Sequence, residues 1–283
     1  MQALRKTCHL LARSSPAVIL LLSLLPGAVR AAMPTRPVLP GVGTRDDRAV
    51  VDPNRAPWRA VGRVQTELGG RCTGFLVAPR TVVTAAHCLF LPRPRNFLQP
   101  GSVHFVTGYA LGRYAGHSVA TRFTIAPGYD PLHEDRTAGA DWAVLTLAVP
   151  LGTADRRLPL AAAVPAGGAV MLGGYGQDRE EVMDADTDCA VSGRSADGDG
   201  RALLVHTCSA TRGTSGAPLL ARSADGGWEV IGVQIAAAPG QAGGFAVPVS
   251  AIRLSAGASA AERGRSASTP APLSDARAAG RSR

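Results

Sequence analysis

Thr84-Ala85-Ala86-His87-Cys88 is the stretch on which the reading of this chain turns. In a β-rich sequence, an alanine pair, a histidine and a cysteine have little reason to coincide unless the imidazole is being placed for chemistry. Two segments downstream supply what such an imidazole needs. Ala140-Asp141-Trp142-Ala143-Val144-Leu145 offers a carboxylate at the head of an apolar run. Arg212-Gly213-Thr214-Ser215-Gly216-Ala217-Pro218 offers a hydroxyl flanked by glycines. His87, Asp141 and Ser215 therefore follow one another at separations of 54 and 74 residues. A serine hydroxyl is a poor nucleophile until an imidazole takes its proton, and the imidazole needs a carboxylate to fix its tautomer and steady its charge. Gly213 and Gly216 allow a tight turn around Ser215 that aims backbone N–H groups at one point, as a tetrahedral oxyanion requires.

Outward from these boxes the chain reads as β. Runs rich in Val, Leu, Ile and Phe at 60–65, 72–77, 103–107, 142–147, 169–174, 202–208, 229–235 and 245–249 predict strands. Gly69-Gly70, Pro79-Arg80, Pro127-Gly128 and Pro239-Gly240 break between them. A helical period is expected only over 249–255, and no internal repeat is evident. Many short strands with frequent Gly and Pro turns indicate an all-β sandwich or barrel pair.

The three boxes resemble those of the chymotrypsin-like (trypsin-like) serine endopeptidases, and the order His–Asp–Ser is the one used on that fold. The resemblance covers about residues 49–252. Cys72-Thr73-Gly74-Phe75-Leu76-Val77 is similar to the family's strand before the His box, and Gly173-Gly174-Tyr175-Gly176 to its Gly-aromatic-Gly turn. Asp46-Asp47-Arg48 and the Cys189/Cys208 pair look most like the bacterial branch that includes the glutamyl endopeptidases. The family's fold is two packed six-stranded antiparallel β-barrels with a short C-terminal helix. The activity implied is cleavage of protein or peptide substrates through an acyl-enzyme, with no metal and no organic cofactor. Ser215 would attack, His87 would act as general base and then acid, and Asp141 would orient His87. The N–H groups of Gly213 and Ser215 would hold the oxyanion. Two alternatives use the same residues: an esterase, and a catalytically inactive binding protein that keeps the fold.

The chain departs from the family at several positions. Thr214 stands where close relatives of chymotrypsin carry an Asp that pairs with a new N-terminal amine. Activation by an inserted N-terminus is therefore not expected, and any processing near Arg48-Ala49 is expected to act by removing the arm. Ser209 stands six residues before the nucleophile, where trypsins have an Asp, so the pocket floor lacks a counter-charge for Lys or Arg. Gln234 replaces the histidine of glutamyl endopeptidases, and Ala236-Ala237 replaces a frequent Trp-Gly, which would narrow the entrance. The expected pocket set is Ser209, Ala210, Gln234, Ala236, Ala237 and Gly244, taking a small or medium uncharged side chain. His104, His117 and His133 lack the flanking box and read as solvated or structural, while His206 lies near the pocket.

The 283 residues are 46% hydrophobic and 18% charged, which excludes a disordered chain. Residues 1–31 read as a signal peptide: Arg5, Lys6 and Arg13 precede an apolar run too short to span a bilayer comfortably, and small residues lead to a cleavage point near Ala31. A Pro-rich N-terminal arm or short propeptide follows over 32–48, then a protease-like domain over 49–253 and a disordered basic tail over 254–283. The net charge of +9 falls mostly on these ends, since the signal holds four cations without an acid and the tail adds five against two acids. No basic stripe with aromatic partners suggests nucleic acid. The expected protein is secreted or periplasmic, without stable membrane insertion, and a monomer. Export removes Cys8 and leaves Cys72, Cys88, Cys189 and Cys208, enough for two disulfides in three possible connectivities. The sequential pairing, 72 with 88 and 189 with 208, is the one expected. Each bridge would contribute about 3 kcal/mol by restricting the unfolded chain.

Overall fold

The computed structural model describes residues 38–164 and 168–254. The expected signal segment, the first residues of the arm and nearly all of the basic tail lie outside the described residues. Six strands build a first closed antiparallel barrel: β1 (Val61–Thr66), β2 (Arg71–Ala78), β3 (Thr81–Thr84), β4 (Val103–Thr107), β5 (Gly116–Ile125) and β6 (Ala143–Leu147). Around the ring they run β1-β2-β3-β6-β5-β4. Six more build the second: β7 (Ala169–Gly174), β8 (Asp184–Ala196), β9 (Ala202–His206), β10 (Pro218–Arg222), β11 (Trp228–Ala237) and β12 (Gly244–Pro248). Their order is β7-β8-β9-β12-β11-β10, the same path as the first ring, closed by the pairing of β8 with β9 and of β7 with β10. Closure leaves few edges for unwanted pairing. The short strand Ala49–Val50 adds to β8.

Period-two alternation decides where each side chain goes. In the first barrel Leu76, Val82, Phe105 and Leu145 belong to the cluster that fills its interior. Their chain neighbours Phe75, Val83, Val106 and Val144 belong to the cluster that continues into the second barrel with Leu172, Tyr175 and Leu219. Both faces of these strands are thus buried, so they read as continuous apolar runs. Each Leu or Phe buried this way contributes about 1.5–3 kcal/mol.

The expected terminal helix is one 3-10 turn, Val249–Ala251, after Pro248. So short a segment cannot offset the cost of helix nucleation. Both disulfides have the sequential connectivity, Cys72–Cys88 and Cys189–Cys208. Among the described residues no helix is long and apolar enough to cross a membrane.

Candidate active site

His87 opens the 3-10 turn His87–Leu89 directly after β3. Ala85 and Ala86 ahead of it are fully buried, so the alanine pair lets the chain turn inside packed surroundings. The bridge from Cys88 to Cys72 on β2 holds that turn against the neighbouring strand. Cys72, His87 and Cys88 are close enough to suggest a metal set, but the two sulfurs are bonded to each other and are not thiolates.

Asp141 follows the turn Ala138–Ala140 and leads into β6. The second barrel clasps this approach with the tip of the β8–β9 hairpin. Gly139 N–H donates to Asp197 Oδ2 at 2.9 Å. Gly198 and Asp199 N–H donate to the carbonyls of Asp135 and Arg136 at 3.2 and 3.0 Å. Asp141 is buried, and both its oxygens face His87: Oδ1 accepts the His87 backbone N–H at 2.9 Å, and Oδ2 lies 2.6 Å from Nδ1. With Nδ1–H donated to the carboxylate, Nε2 is left as the proton acceptor.

Ser215 lies in the β9–β10 loop between Gly213 at φ +94° and Gly216 at φ +85°. A Cβ at Gly213 would stand 2.4 Å from the Tyr175 carbonyl oxygen, and one at Gly216 would stand 2.2 Å from that of Thr73. Both positions therefore need glycine for conformation and for space. Thr73, fully buried on β2, bolts the loop to the first barrel. Its N–H donates to the Ser215 carbonyl at 2.8 Å, and its hydroxyl donates to the Gly213 carbonyl at 2.9 Å and accepts Tyr175 N–H at 3.0 Å. The N–H groups of Gly213 and Ser215 donate to no group among the described residues. Thr214 spends its hydroxyl on the Thr211 carbonyl.

Across the barrels, Cys88 Sγ lies 3.9 Å from the Ser215 carbonyl oxygen. His87 and Ser215 line one cavity of about 360 Å³. Of the six expected pocket residues, Gln234 and Ala237 line this cavity. Ser209, Ala210, Ala236 and Gly244 stand outside it. Ser209 and Ala210 are buried, their N–H groups held by Asp186 Oδ2 at 2.8 Å and the Gly41 carbonyl at 2.9 Å. Gly244 is taken up in the ladder with β9 and β11, and Ala236 is an exposed position on β11.

Four lining residues escaped the sequence reading of the pocket: Pro40, Thr211, Arg212 and Pro239. Pro40 arrives on the arm, where Gly41 N–H donates to the Ala238 carbonyl at 2.8 Å. No local motif marks a residue whose position depends on a partner so far along the chain. Gln234 offers the cavity no charge. Its Oε1 accepts from His206 Nε2 at 2.6 Å, and its Nε2 donates to the Ala236 carbonyl at 3.1 Å. Burial pushes the His206 pKa down to about 4, against the bond from Gln234, so this ring is neutral near pH 7. Of the other histidines, His104 and His117 bond to each other at 2.9 Å and His133 bonds to Asp130 at 2.8 Å.

The family model named Trypsin matches residues 47–254. The chain belongs to the trypsin family, and its fold is chymotrypsin-like. It resembles the glutamyl endopeptidases in particular. Glutamyl endopeptidase of Bacillus licheniformis is 26% identical over 114 residues, 39% of this chain. That match spans only 33% of the relative's own length. A solved structure described as Glu endopeptidase in complex with MPD shares the fold at 19% identity with a TM-score of 0.56, covering 77% of this chain and 96% of that one.

Proposed function

We propose that this chain is an exported serine endopeptidase that hydrolyses peptide bonds through an acyl-enzyme. The observation that carries the reading is the doubly held His87–Asp141 pair facing the cavity that Ser215 also lines. His87 Nε2 takes the Ser215 proton as Oγ attacks the substrate carbonyl, and the imidazolium that forms is steadied by Asp141. The N–H groups of Gly213 and Ser215 receive the oxyanion. His87 then returns the proton to the leaving amine, and water repeats the sequence on the ester. The two disulfides support an oxidising compartment, in keeping with the leader-like residues 1–31.

A neutral Gln234, bonded to a neutral His206, gives the cavity wall no buried charge and favours an uncharged side chain before the scissile bond, while the exposed Arg212 cation disfavours Lys and Arg. The test is digestion of a mixed peptide library with and without fluorophosphonate, with cleavage sites and adduct mapped by mass spectrometry. The expected result is cleavage after small or medium uncharged residues, abolished by a single adduct on the Ser215 peptide. An inert, unlabelled but folded protein would favour the binding-protein alternative. Dominant cleavage after Arg, Lys or Glu would overturn the pocket reading alone.

The acid limb of activity follows from His87. Burial by itself would lower its pKa, but the Asp141 carboxylate, by charge and hydrogen bond, and the more distant Glu134 outweigh it and raise the pKa above the ordinary 6.5. A protonated ring cannot accept the serine proton, so kcat/KM is present above this raised value and lost as pH falls through it. Glu134→Gln removes one of the raising charges and is expected to move the midpoint to lower pH. A pH–rate profile checks this, and an unmoved midpoint would exclude Glu134 from the effect.

A further inference from the structure

Guanidinium groups leave water only when their donors are answered. The Arg48 side chain is 1% exposed and sits among Asp46, Asp178 and Asp184. Its grip on Asp178 is two-pronged, Nη1 to Oδ1 at 3.0 Å and Nη2 to Oδ2 at 2.7 Å. Nε and Nη2 also donate to Asp46 at 2.9 and 3.1 Å. Arg179 ties the same group from another direction, donating to Asp46 Oδ2 at 2.6 Å and to the Arg48 carbonyl at 3.3 Å. Asp178 and Arg179 belong to the turn 176–179, closed by Arg179 N–H on the Gly176 carbonyl at 3.1 Å.

None of these charged groups lines the cavity. Their bearing on chemistry comes through the middle of the turn, where Gln177 N–H donates to the Arg212 carbonyl at 2.7 Å. In a trans peptide the C=O and N–H point in opposite directions. Holding the Arg212 carbonyl on Gln177 therefore turns the Gly213 N–H away from the turn. The packing leaves this peptide little room. A Cβ on Gly213 would meet the Tyr175 carbonyl oxygen at 2.4 Å and Gln177 N at 2.9 Å. One on Gly176 would meet Asp178 Oδ1 at 2.7 Å and Arg48 Nη1 at 3.1 Å. Guanidinium, turn and nucleophile loop are thus packed against one another.

We propose that Arg48 is a positioning residue for the oxyanion hole, acting through Asp178 and Gln177 to keep the Arg212–Gly213 peptide turned so that the Gly213 N–H is available to the oxyanion. The proposal rests on the reading of Ser215 as nucleophile. It gives the loop an ion pair supplied from within the chain, because Thr214 has no carboxylate and its hydroxyl is already engaged. It also reverses the expectation for the arm: a cut after Arg48 would dismantle the site, not release it.

Arg48→Gln, Arg48→Lys and Asp178→Asn, made in the full chain, test this. The readouts are kcat, KM, Tm and affinity for a peptide trifluoromethyl ketone, whose adduct carries an oxyanion that the substrate ground state lacks. Arg48→Gln and Asp178→Asn are expected to lower kcat by about 10- to 100-fold with KM within about threefold, and to weaken ketone binding in parallel. Arg48→Lys, which keeps the charge without the fork, should fall between parent and Arg48→Gln. Losing one partner of a buried pair can unfold a protein. If Arg48→Gln does not fold, Asp178→Asn, which keeps the shape of the side chain, decides by the same readouts. Folded variants with kcat and ketone affinity within about twofold of the parent, or a loss confined to Tm, would overturn the proposal. A parent labelled at Ser215 beside such variants would sink this inference alone, whereas a folded, inert parent would overturn both readings.

Discussion

Ser215→Ala is expected to lower kcat on a peptide substrate by about 10⁵- to 10⁶-fold while KM stays within about threefold. In the proposed mechanism the hydroxyl oxygen is the bond-forming atom, so the remaining groups cannot substitute for it. What survives is the background supplied by the oxyanion donors and substrate binding, about 10³- to 10⁴-fold over water. The variant should fold normally, because the loop is held by its backbone. The Ser215 carbonyl accepts from Thr73 N–H at 2.8 Å, and Gly216 N–H donates to the Gln234 carbonyl at 2.7 Å. Kinetics on the purified variant with a parallel melting curve decide the matter. Retention of even a hundredth of the parent rate on folded protein would remove Ser215 from the role of nucleophile.

Asp141→Asn should cost about 10⁴-fold in kcat with the fold intact. The carboxylate accepts two bonds, from the His87 backbone N–H at 2.9 Å and from the ring at 2.6 Å. An amide has one oxygen. If that oxygen stays on the backbone N–H, the NH₂ group faces Nδ1 and forces the ring proton onto Nε2, the atom that should accept from Ser215. The imidazolium also loses its counter-charge. Nitrogen-15 shifts of the His87 ring report the tautomer beside the rate. A loss below tenfold, with Nδ1 still protonated, would show that Asp141 neither fixes nor steadies the ring.

The groups proposed to react were legible as candidates because each sits in a local box, with its neighbours chosen for the same turn. Ala85 and Ala86 must be small, Gly213 and Gly216 must take positive φ, and Asp141 must head a buried strand. Strands buried on both faces were legible for a related reason: their apolar runs are continuous. Four barrel strands gave no such signal. Asp184–Ala196 is full of Asp, Ser and Gly, and is a strand because β7 and β9 flank it and a disulfide anchors Cys189. Gly116–Ile125 mixes polar and apolar residues with many exposed positions. Thr81–Thr84 and Pro218–Arg222 are short and were absorbed into the boxes beside them. The walls of the cavity were half legible, since Pro40 and Ala237 meet only after the chain has closed both rings. Arg48 read only as part of the Asp46-Asp47-Arg48 resemblance and as a place for processing, because its partners Asp178 and Asp184 lie more than a hundred residues away.

The bolt at Thr73 bears on how such a molecule can fail. His87 and Asp141 belong to one ring of strands and Ser215 to the other, so the distance that matters for the proposed reaction crosses a joint. Thr73 spans that joint with its N–H and its hydroxyl, gripping the nucleophile loop at two carbonyls from a site sealed from solvent. Sliding one ring against the other must break these bonds inside a dry contact before Ser215 shifts relative to His87. Water cannot ease that rupture by taking the vacated places one at a time. The joint therefore behaves as a latch, not a bearing: it holds its alignment under modest stress and then gives way together with the packing around it. Heat or denaturant should take hydrolysis and tertiary structure away in a single step, with no stretch of conditions in which the rings are intact and the catalyst is merely loose.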